Sequence, residues 1–257
     1  MSCVKLEKRK IEEKLSALGY CGAGLVFYDS TDSTNLRARA WARTDGGAAV
    51  VVAGSQSAGR GRLGRSFLSS EGGIYLSLLS YPERKLSSPS GITAEAAVRL
   101  CRAVERVTGI SPQIKWVNDL YINGKKVAGI LTEGEFDENG NLRYYVVGMG
   151  INVYKIANFD RVMPIATTLE DNTNSKININ DLCAEIIAEF SKDIPAQEAL
   201  SEYRERCFII GSNVTVITGD GKYFAKVLAV REDYTLEVSD EMGEVRILGS
   251  GEVSLKV

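Results

Sequence analysis

Apolar positions along most of the chain switch between the spacing of helices and the spacing of strands. Apolar residues near a helical spacing predict a first helix over Val4–Leu18, and the apolar run Ala48–Ala53 predicts a buried strand. This mixture of elements predicts a core of the α+β or α/β class. The other predicted strands are Leu25–Tyr28, Ile74–Leu79, Ile114–Val117, Leu120–Ile122, Val127–Glu133 and Arg143–Met149, and the other predicted helices are Leu36–Arg43, Gly91–Thr108 and Asn180–Ser191.

The pattern changes near Arg206–Ser212, after which short β-rich runs follow one another at close spacing. The predicted strands there are Asn213–Thr218, Tyr223–Val230, Thr235–Val238, Glu244–Leu248 and Glu252–Val257. Closely spaced short strands separated by glycine-containing turns are typical of a small barrel. The sequence therefore predicts two domains, a core over residues 1–208 and a small β-barrel over residues 209–257.

Two short segments carry turn and capping signals. Asn123-Gly124 lies between two strand-like runs, and both residues tolerate positive φ, so this pair predicts a type I′ hairpin. The segment Asp32–Asn35 precedes a predicted helix and offers several residues that can cap its first turn.

Composition excludes several kinds of chemistry. The chain has 257 residues, a formal net charge of −2 and no histidine, which excludes Ser-His-Asp and Cys-His nucleophile systems. The near-neutral charge and the excess of acidic over basic residues in the tail argue against a nucleic-acid partner. The five cysteines are scattered without a C-x-x-C pair, as in reduced cytoplasmic proteins. Because no secretory signal or membrane-spanning run is present, we expect a cytoplasmic protein without a membrane partner.

The segment 54–65, GSQSAGRGRLGR, is called the arginine loop below. It nearly matches two phosphate-binding motifs, but a strand-like run follows where a dinucleotide-binding motif requires a helix, and the lysine and hydroxyl residues of a P-loop are missing. Glycines still allow backbone N–H groups to converge on an anion, and the guanidinium groups of Arg60, Arg62 and Arg65 suit phosphate oxygens. Three like charges on one loop also predict mobility until an anion binds. The alternative is a solvated connecting loop.

The segment Ile114–Glu133 holds a second candidate cation. Lys115 lies at the end of a predicted buried strand, where an isolated lysine usually faces water. Gly129 in the return strand indicates close approach of a ligand or of another backbone.

Five segments together resemble the catalytic domain of biotin–protein ligases. They follow that family's order and approximate spacing, and the resemblance extends over residues 25–257. It implies a core related to class II aminoacyl-tRNA synthetases, with a mixed sheet flanked by helices, followed by an SH3-like barrel. The segments are Asp32-Ser33-Thr34-Asn35, Gln56 with Ala58-Gly59-Arg60-Gly61-Arg62-Leu63-Gly64-Arg65, Lys115-Trp116-Val117-Asn118-Asp119, Ala128-Gly129-Ile130-Leu131 and Gly148-Met149-Gly150-Ile151-Asn152.

The resemblance implies an ATP-dependent ligase that forms biotinyl-5′-AMP and passes biotin to a lysine of a biotin carboxyl carrier protein. Mg²⁺ would accompany ATP, and no residue is implied to hold a resident metal. Lys115 and Arg62 receive the catalytic roles, with Lys115 between the biotin carboxylate and the reacting phosphate. The implied biotin-binding residues are Ser33, Thr34, Asn35, Gln56, Arg60, Gly61, Arg62, Lys115 and Gly129; the implied nucleotide-binding residues are Arg60, Arg62, Arg65, Phe67, Asn118 and Asn152.

Two positions depart from the family's pattern: Val117 stands where a proline is usual, and Phe67 stands where a tryptophan is common. Longer members begin with a DNA-binding domain, whereas about 25 residues precede the core here, so we expect a short form without that domain. A homodimer is also compatible with the resemblance. The alternatives are a lipoate ligase or octanoyl transferase of related fold and a non-enzymatic biotin sensor.

Overall fold

The short apolar runs of the first 152 residues assemble into a seven-stranded mixed sheet. The computed structural model describes residues 5–44, 46–82, 89–156, 159–218, 221–249 and 252–255. The strand order is β1-β2-β3-β7-β6-β5-β4; β1 and β2 are parallel, and every other neighbouring pair is antiparallel. The strands are β1 Gly24–Tyr28, β2 Ala49–Ala53, β3 Gly73–Ser80, β4 Gln113–Lys115, β5 Asp119–Ile122, β6 Lys125–Phe136 and β7 Leu142–Asn152.

Helices cover both faces of this sheet because its central strands are apolar on both sides. In β2, Val50 and Val52 join the larger core with α1, α3 and α5, while Ala49 and Val51 join a smaller core with α2. The expected α+β core with a mixed sheet flanked by helices is therefore confirmed. The helices are α1 Lys8–Ala17, α2 Thr34–Ala42, α3 Pro89–Thr108, α4 Phe159–Val162, α5 Ile179–Glu189 and α6 Ala196–Arg206.

The predicted strands and helices all occur, with ends that differ by a few residues. The first helix begins at Lys8 rather than at Val4, which lies outside the described residues. Asn123 and Gly124 have φ values of 50° and 75°, which confirms the hairpin with positive φ at both central positions. Helices α4 and α6 are absent from the sequence-based expectations.

The β-rich tail forms a second, antiparallel sheet in the order β11-β10-β9-β8-β12. One of the predicted glycine-containing turns is Gly219-Asp220-Gly221-Lys222, and its first two residues lie outside the described residues, as do the last two residues of the predicted strand Glu252–Val257. Closure of this sheet into an SH3-like barrel stays a prediction. The strands are β8 Asn213–Thr218, β9 Gly221–Val230, β10 Leu236–Asp240, β11 Val245–Leu248 and β12 Glu252–Leu255.

The two sheets share one continuous hydrophobic core, which includes Ile114 from the first sheet and Val214 from the second. The indole N–H of Trp116 donates to the backbone oxygen of Tyr234 at 2.9 Å. Arg204 of α6 donates to the backbone oxygen of Val230 at 2.8 Å. The tail is thus packed against the core, and the domain boundary at residues 208 and 209 stays a prediction. Among the described residues, no helix has the length and apolarity needed to cross a membrane.

Candidate active site

A cavity lies on the α2 face of the first sheet, beside the part of the sheet that α2 covers. Directly paired residues along one row of the sheet are Lys115, Asp119, Gly129, Gly150 and Tyr75. Side chains of directly paired residues point to the same face of a sheet. The register therefore brings a lysine, a carboxylate and two glycines from distant parts of the sequence to one surface.

The two glycines of this row have no side chains, so the floor of the cavity at these positions is formed by the backbone of the sheet. Gly129 and Gly150 are paired across β6 and β7, and the ring of Phe67 lies against both. A Cβ on Gly150 would come closer than 3.0 Å to that ring. Phe67 lies at the position where the tryptophan of related proteins was expected, and it lines the cavity. The groups close to Gly129 are the side chains of Phe67 and Lys126, so the expected close approach of a ligand or of another backbone stays a prediction.

A chain of hydrogen bonds forms the opposite end of the cavity. The hydroxyl of Ser77 donates to Oδ1 of Asn35 at 2.6 Å and lies 2.7 Å from Oγ1 of Thr34. The backbone N–H of Thr34 donates to Oε1 of Gln56 at 2.8 Å, and Nε2 of Gln56 donates to Oγ of Ser69 at 2.8 Å. Thr34, Asn35 and Ser77 are buried, so these groups have fixed orientations that suit a ligand with both donors and acceptors.

Asp32 explains why these polar side chains face the cavity rather than capping α2. Ser33 is the N-cap residue, but its side chain makes no capping hydrogen bond. Oδ1 of Asp32 instead accepts from the backbone N–H of Ser33 at 2.6 Å, and its carboxylate pairs with Arg37. Hydrogen bonding to Arg37 is the largest cause that holds the pKa of Asp32 well below its ordinary range. Asp32 therefore fixes the start of the helix.

The arginine loop folds over the cavity as a short hairpin. The backbone N–H of Phe67 donates to the oxygen of Gly59 at 2.9 Å, and that of Gly61 donates to the oxygen of Arg65 at 2.7 Å. Leu63 at the tip is 75% exposed and has a φ of 54°, in the left-handed region. The loop thus presents its guanidinium groups from a turn held by backbone hydrogen bonds.

Arg60 and Arg62 of the loop contact side chains close to the cavity. A side-chain nitrogen of Arg62 donates to Oδ1 of Asn118 at 2.9 Å, and Asn118 donates in turn to the backbone oxygen of Ile130 at 2.9 Å. A side-chain nitrogen of Arg60 lies 3.1 Å from the carboxylate of Glu133. The loop is therefore joined to the strands at two points.

Lys126 is a cavity cation that the sequence analysis missed. Its Nζ lies 2.7 Å from Oδ1 of Asp119, 5.9 Å from the centre of the Phe67 ring and 3.1 Å from the position of a Cβ on Gly129. Nζ of Lys115 lies over the ring of Tyr121 at 5.6 Å. Both lysines line the cavity, and Lys126 is the one close to its glycine floor.

The structure brings nearly all of the predicted site residues to this cavity. The exception is Asn152, which lies one row further along the face, is paired with Gly73 and donates to the backbone oxygen of Thr167 at 3.2 Å. Val117, the other departure from the family's pattern, follows a cis peptide bond. The predicted residues that line the cavity are Ser33, Thr34, Asn35, Gln56, Arg60, Gly61, Arg62, Arg65, Phe67, Lys115, Asn118 and Gly129.

Other lining residues carry no strong sequence signal. Gly148, Met149 and Gly150 belong to a segment quoted for the resemblance but received no role, and Val253 reaches the cavity from β12 of the second sheet. Contact between a tail residue and the site depends on tertiary packing, which the local pattern does not show.

Cys101, Cys183 and Cys207 are buried outside the cavity lining. Burial raises the pKa of each thiol to about 12. A thiol with such a pKa is protonated at neutral pH and is a poor nucleophile. Among the described residues, no group of three or more His, Cys, Asp or Glu side chains is placed to hold a metal ion.

Comparison with known proteins defines the class to which this fold and cavity belong. Residues 27–152 match the model of the Biotin/lipoate A/B protein ligase family. The chain is 32% identical over 239 residues to the bifunctional ligase/repressor BirA of Bacillus subtilis, which covers 88% of this chain and 72% of that protein. It is 27% identical over 262 residues to the biotin–[acetyl-CoA-carboxylase] ligase of Mycobacterium tuberculosis, covering 96% and 95%.

Solved structures agree with these relatives. The biotin protein ligase of Aquifex aeolicus in complex with biotin and ATP matches with a TM-score of 0.75 and 28% identity, over 91% of this chain and 98% of that one. The chain belongs to the biotin–protein ligase branch of this family and is a ligase.

Proposed function

We propose that the chain is an ATP-dependent enzyme that forms biotinyl-5′-AMP and transfers biotin to a specific lysine of a biotin carboxyl carrier protein. One observation carries this proposal: a single cavity has a polar end at the buried residues Thr34 and Asn35 and the half-buried Gln56, and a cationic end near Lys126 and Arg62. A ligand for this cavity needs donors and acceptors at one end and negative charge at the other.

Biotin has that distribution of groups. Its ureido ring offers N–H donors and a carbonyl acceptor, and its side chain ends in a carboxylate. The dithiolane ring of lipoate and the chain of an octanoyl group offer no hydrogen bonds to the polar end, so they would displace water from its polar groups without replacing the hydrogen bonds to water. The solved relative from Aquifex aeolicus is described in complex with biotin and ATP, which supports the same pair of substrates.

In the first half-reaction, a biotin carboxylate oxygen forms a bond to the α-phosphorus of ATP, and the bond to the bridging oxygen breaks as pyrophosphate leaves. Two anionic groups must approach each other, so fixed cations stabilise the transition state more than the separated reactants. Lys126 lies near the floor of the cavity, Lys115 lies beside it, and Arg62 reaches in from the loop. Mg²⁺ enters with ATP and neutralises part of the pyrophosphate charge.

In the second half-reaction, the acceptor amine attacks the mixed anhydride and AMP leaves. The amine must lose a proton, and the carboxylate of Asp119 is the one acidic side chain among the described lining residues. Asp119 is therefore the proposed proton acceptor, and Lys126 at 2.7 Å holds its carboxylate in place. Relatives in Paracoccus denitrificans and Mycobacterium tuberculosis are named for acetyl-CoA carboxylase, which supports a carrier protein of that carboxylase as the partner.

The proposal is tested by exchange of labelled pyrophosphate into ATP. We expect exchange that depends on biotin and is not supported by lipoate or octanoate at the same concentration. Exchange that depends on lipoate instead would favour the lipoate ligase alternative. No exchange with any of the three acids, in protein with a cooperative melting transition, would remove the adenylating function.

A further inference from the structure

The carboxylate of Glu133 joins the arginine loop to the polar end of the cavity. Its Oε1 lies 3.1 Å from NH1 of Arg60, and its Oε2 accepts a hydrogen bond from Nδ2 of Asn35 at 2.8 Å. A more distant neighbour, NH1 of Arg39 in α2, lies 3.8 Å from Oε1. The side chain of Glu133 is 18% exposed, so solvent screens these charges only in part. One residue therefore touches both the loop and a residue of the cavity wall.

The contact with Asn35 helps to determine which way its amide points, together with a longer hydrogen bond from Nδ2 to the backbone oxygen of Leu131 at 3.3 Å. Oδ1 of Asn35 accepts from the Ser77 hydroxyl at 2.6 Å, while Nδ2 donates to Glu133. Turning the amide over would place its carbonyl oxygen against the carboxylate, and a carboxylate can only accept. Glu133 thereby fixes the arrangement of donor and acceptor that Asn35 presents beside the cavity.

The contact with Arg60 acts on the loop. Arg60, Arg62 and Arg65 lie within six residues of sequence, and their mutual repulsion disfavours a compact loop. Arg62 donates to the side chain of Asn118, and the Glu133 carboxylate places a negative charge beside Arg60 that offsets part of the repulsion. Loss of this charge should loosen the loop even when no ligand is bound.

We propose that Glu133 is a positioning residue that limits the mobility expected of the arginine loop, so that the loop spends more time near the cavity before any anion binds, and that orients the Asn35 amide for the ligand. Glu133 does not line the cavity, so it acts through these two residues. A site ordered in advance loses less conformational entropy on binding, so the expected effect falls on ligand affinity. The identity of the ligand rests on the proposed function, whereas the order of the loop does not.

The test compares Glu133→Gln with a matched control, Glu135→Gln. Glu135 lies two residues along the same strand and pairs with Arg39 at 3.1 Å, but it has no described contact with the loop or with Asn35. The first measurement is the rate at which trypsin cleaves the ligand-free protein after Arg60, Arg62 and Arg65. We expect Glu133→Gln to be cleaved about fivefold faster, the shift produced by losing one partly exposed ion pair, and Glu135→Gln to be cleaved at the wild-type rate.

The second measurement is biotin-dependent pyrophosphate exchange. Glu133→Gln should raise KM for biotin about tenfold and leave kcat within about twofold, since the lost contacts act on binding more than on the reacting atoms. Glu133→Asp, which keeps the charge, should recover part of the loss. Thermal melting of each variant checks that the fold is retained.

Equal cleavage of wild type and Glu133→Gln would overturn the proposal, as would a fall in kcat with KM unchanged. If wild-type protein shows no biotin-dependent exchange, the proposed function fails, but the cleavage comparison still decides whether Glu133 orders the loop. If Glu133→Gln no longer melts cooperatively, Arg60→Gln is used in its place. This substitution removes the same ion pair by changing its more exposed partner, and trypsin should then cleave the loop faster after Arg62 and Arg65.

Discussion

The side-chain amide of Asn35 occupies the space that a Cβ on Gly148 would fill. A Cβ built on Gly148 would come closer than 3.0 Å to Oδ1 and Cγ of Asn35 and would lie 3.0 Å from Nδ2. Ser77, which is paired with Gly148 in the adjacent strand, donates to Oδ1 of Asn35 and so restrains the amide. Asn35 of α2 can therefore lie directly on the sheet because residue 148 in β7 is glycine.

Gly148→Ala should displace Asn35 and disrupt the hydrogen bonds of the polar end. We expect KM for biotin to rise at least tenfold, because a buried hydrogen bond left unmade costs about 1–3 kcal/mol. The measurement is biotin-dependent pyrophosphate exchange over a range of biotin concentrations. Gly24→Ala is the matched control, because Gly24 also lies in a strand and a Cβ there has no neighbour within 4 Å. An unchanged KM in Gly148→Ala would contradict this placement of Asn35.

The ion pair between Asp32 and Arg37 predicts a stability contribution that depends on pH. The pKa of Asp32 in the folded protein is held well below its ordinary range, mainly by hydrogen bonding to Arg37. The contribution is therefore fully present above the pKa of the unfolded chain and is lost as pH falls towards the folded pKa. The difference in unfolding free energy between wild type and Asp32→Asn should shrink in urea melts from pH 6 to pH 3. A constant difference would contradict the pairing.

Removal of residues 211–257 should prevent normal folding of the remaining chain. The second sheet shares one hydrophobic core with the first, and truncation would leave the buried indole N–H of Trp116 without its acceptor on Tyr234. It would also remove Val253 from the cavity wall. We expect loss of the cooperative thermal transition of the full chain, measured by calorimetry. A truncated protein that melts normally and biotinylates a carrier at the full rate would show that the tail has neither role.

Local sequence signals predicted most elements because their causes are local. The Asn123-Gly124 hairpin follows from two residues that accept positive φ, and the buried strand β2 follows from an apolar run. Helix α6 was missed although Ala199, Leu200 and Tyr203 form a buried stripe, because its other residues are mostly charged and it lies beside the change in pattern. The strand order could not be predicted, since pairing between β3 and β7 joins segments far apart in sequence.

The site was predicted by resemblance more than by residue chemistry, and the difference shows at Lys126. In the sequence, Lys126 follows Lys125 directly after a hairpin and looks like a solvated turn residue. Its position depends on Asp119 and on the bare backbone of Gly129, which come together only when β5 and β6 pair. Asn152 was assigned to the site by resemblance, but the strand register places it one row beyond the cavity.

The two cavity lysines can be separated by substitution. Lys126→Ala should lower the rate of adenylate formation by on the order of 10²–10³, the typical cost of removing one fixed electrostatic contact in a transition state. Lys115→Ala should also lose most adenylate formation and should still transfer biotin from added biotinyl-5′-AMP, though more slowly. Both variants are measured by pyrophosphate exchange and single-turnover transfer, with thermal melting as the check on folding.

Each outcome assigns a role. Normal exchange in a folded Lys115→Ala protein would remove Lys115 from the chemistry and leave Lys126 as the cation near the reacting groups. Equal losses in both half-reactions would instead make the substituted lysine a general binding residue for the adenylate. Arginine at either position should rescue only in part, because a planar guanidinium does not replace a compact ammonium.

The most direct test of the central claim is mass spectrometry of the bound intermediate. Purified protein is incubated with biotin and Mg·ATP without a carrier, denatured and analysed for small molecules; a parallel sample receives a biotin carboxyl carrier domain before denaturation. We predict biotinyl-5′-AMP in the first sample, and in the second its disappearance together with one biotinyl group on a carrier lysine. Absence of the adenylate, or an acyl group attached to a cysteine of the protein itself, would contradict the account.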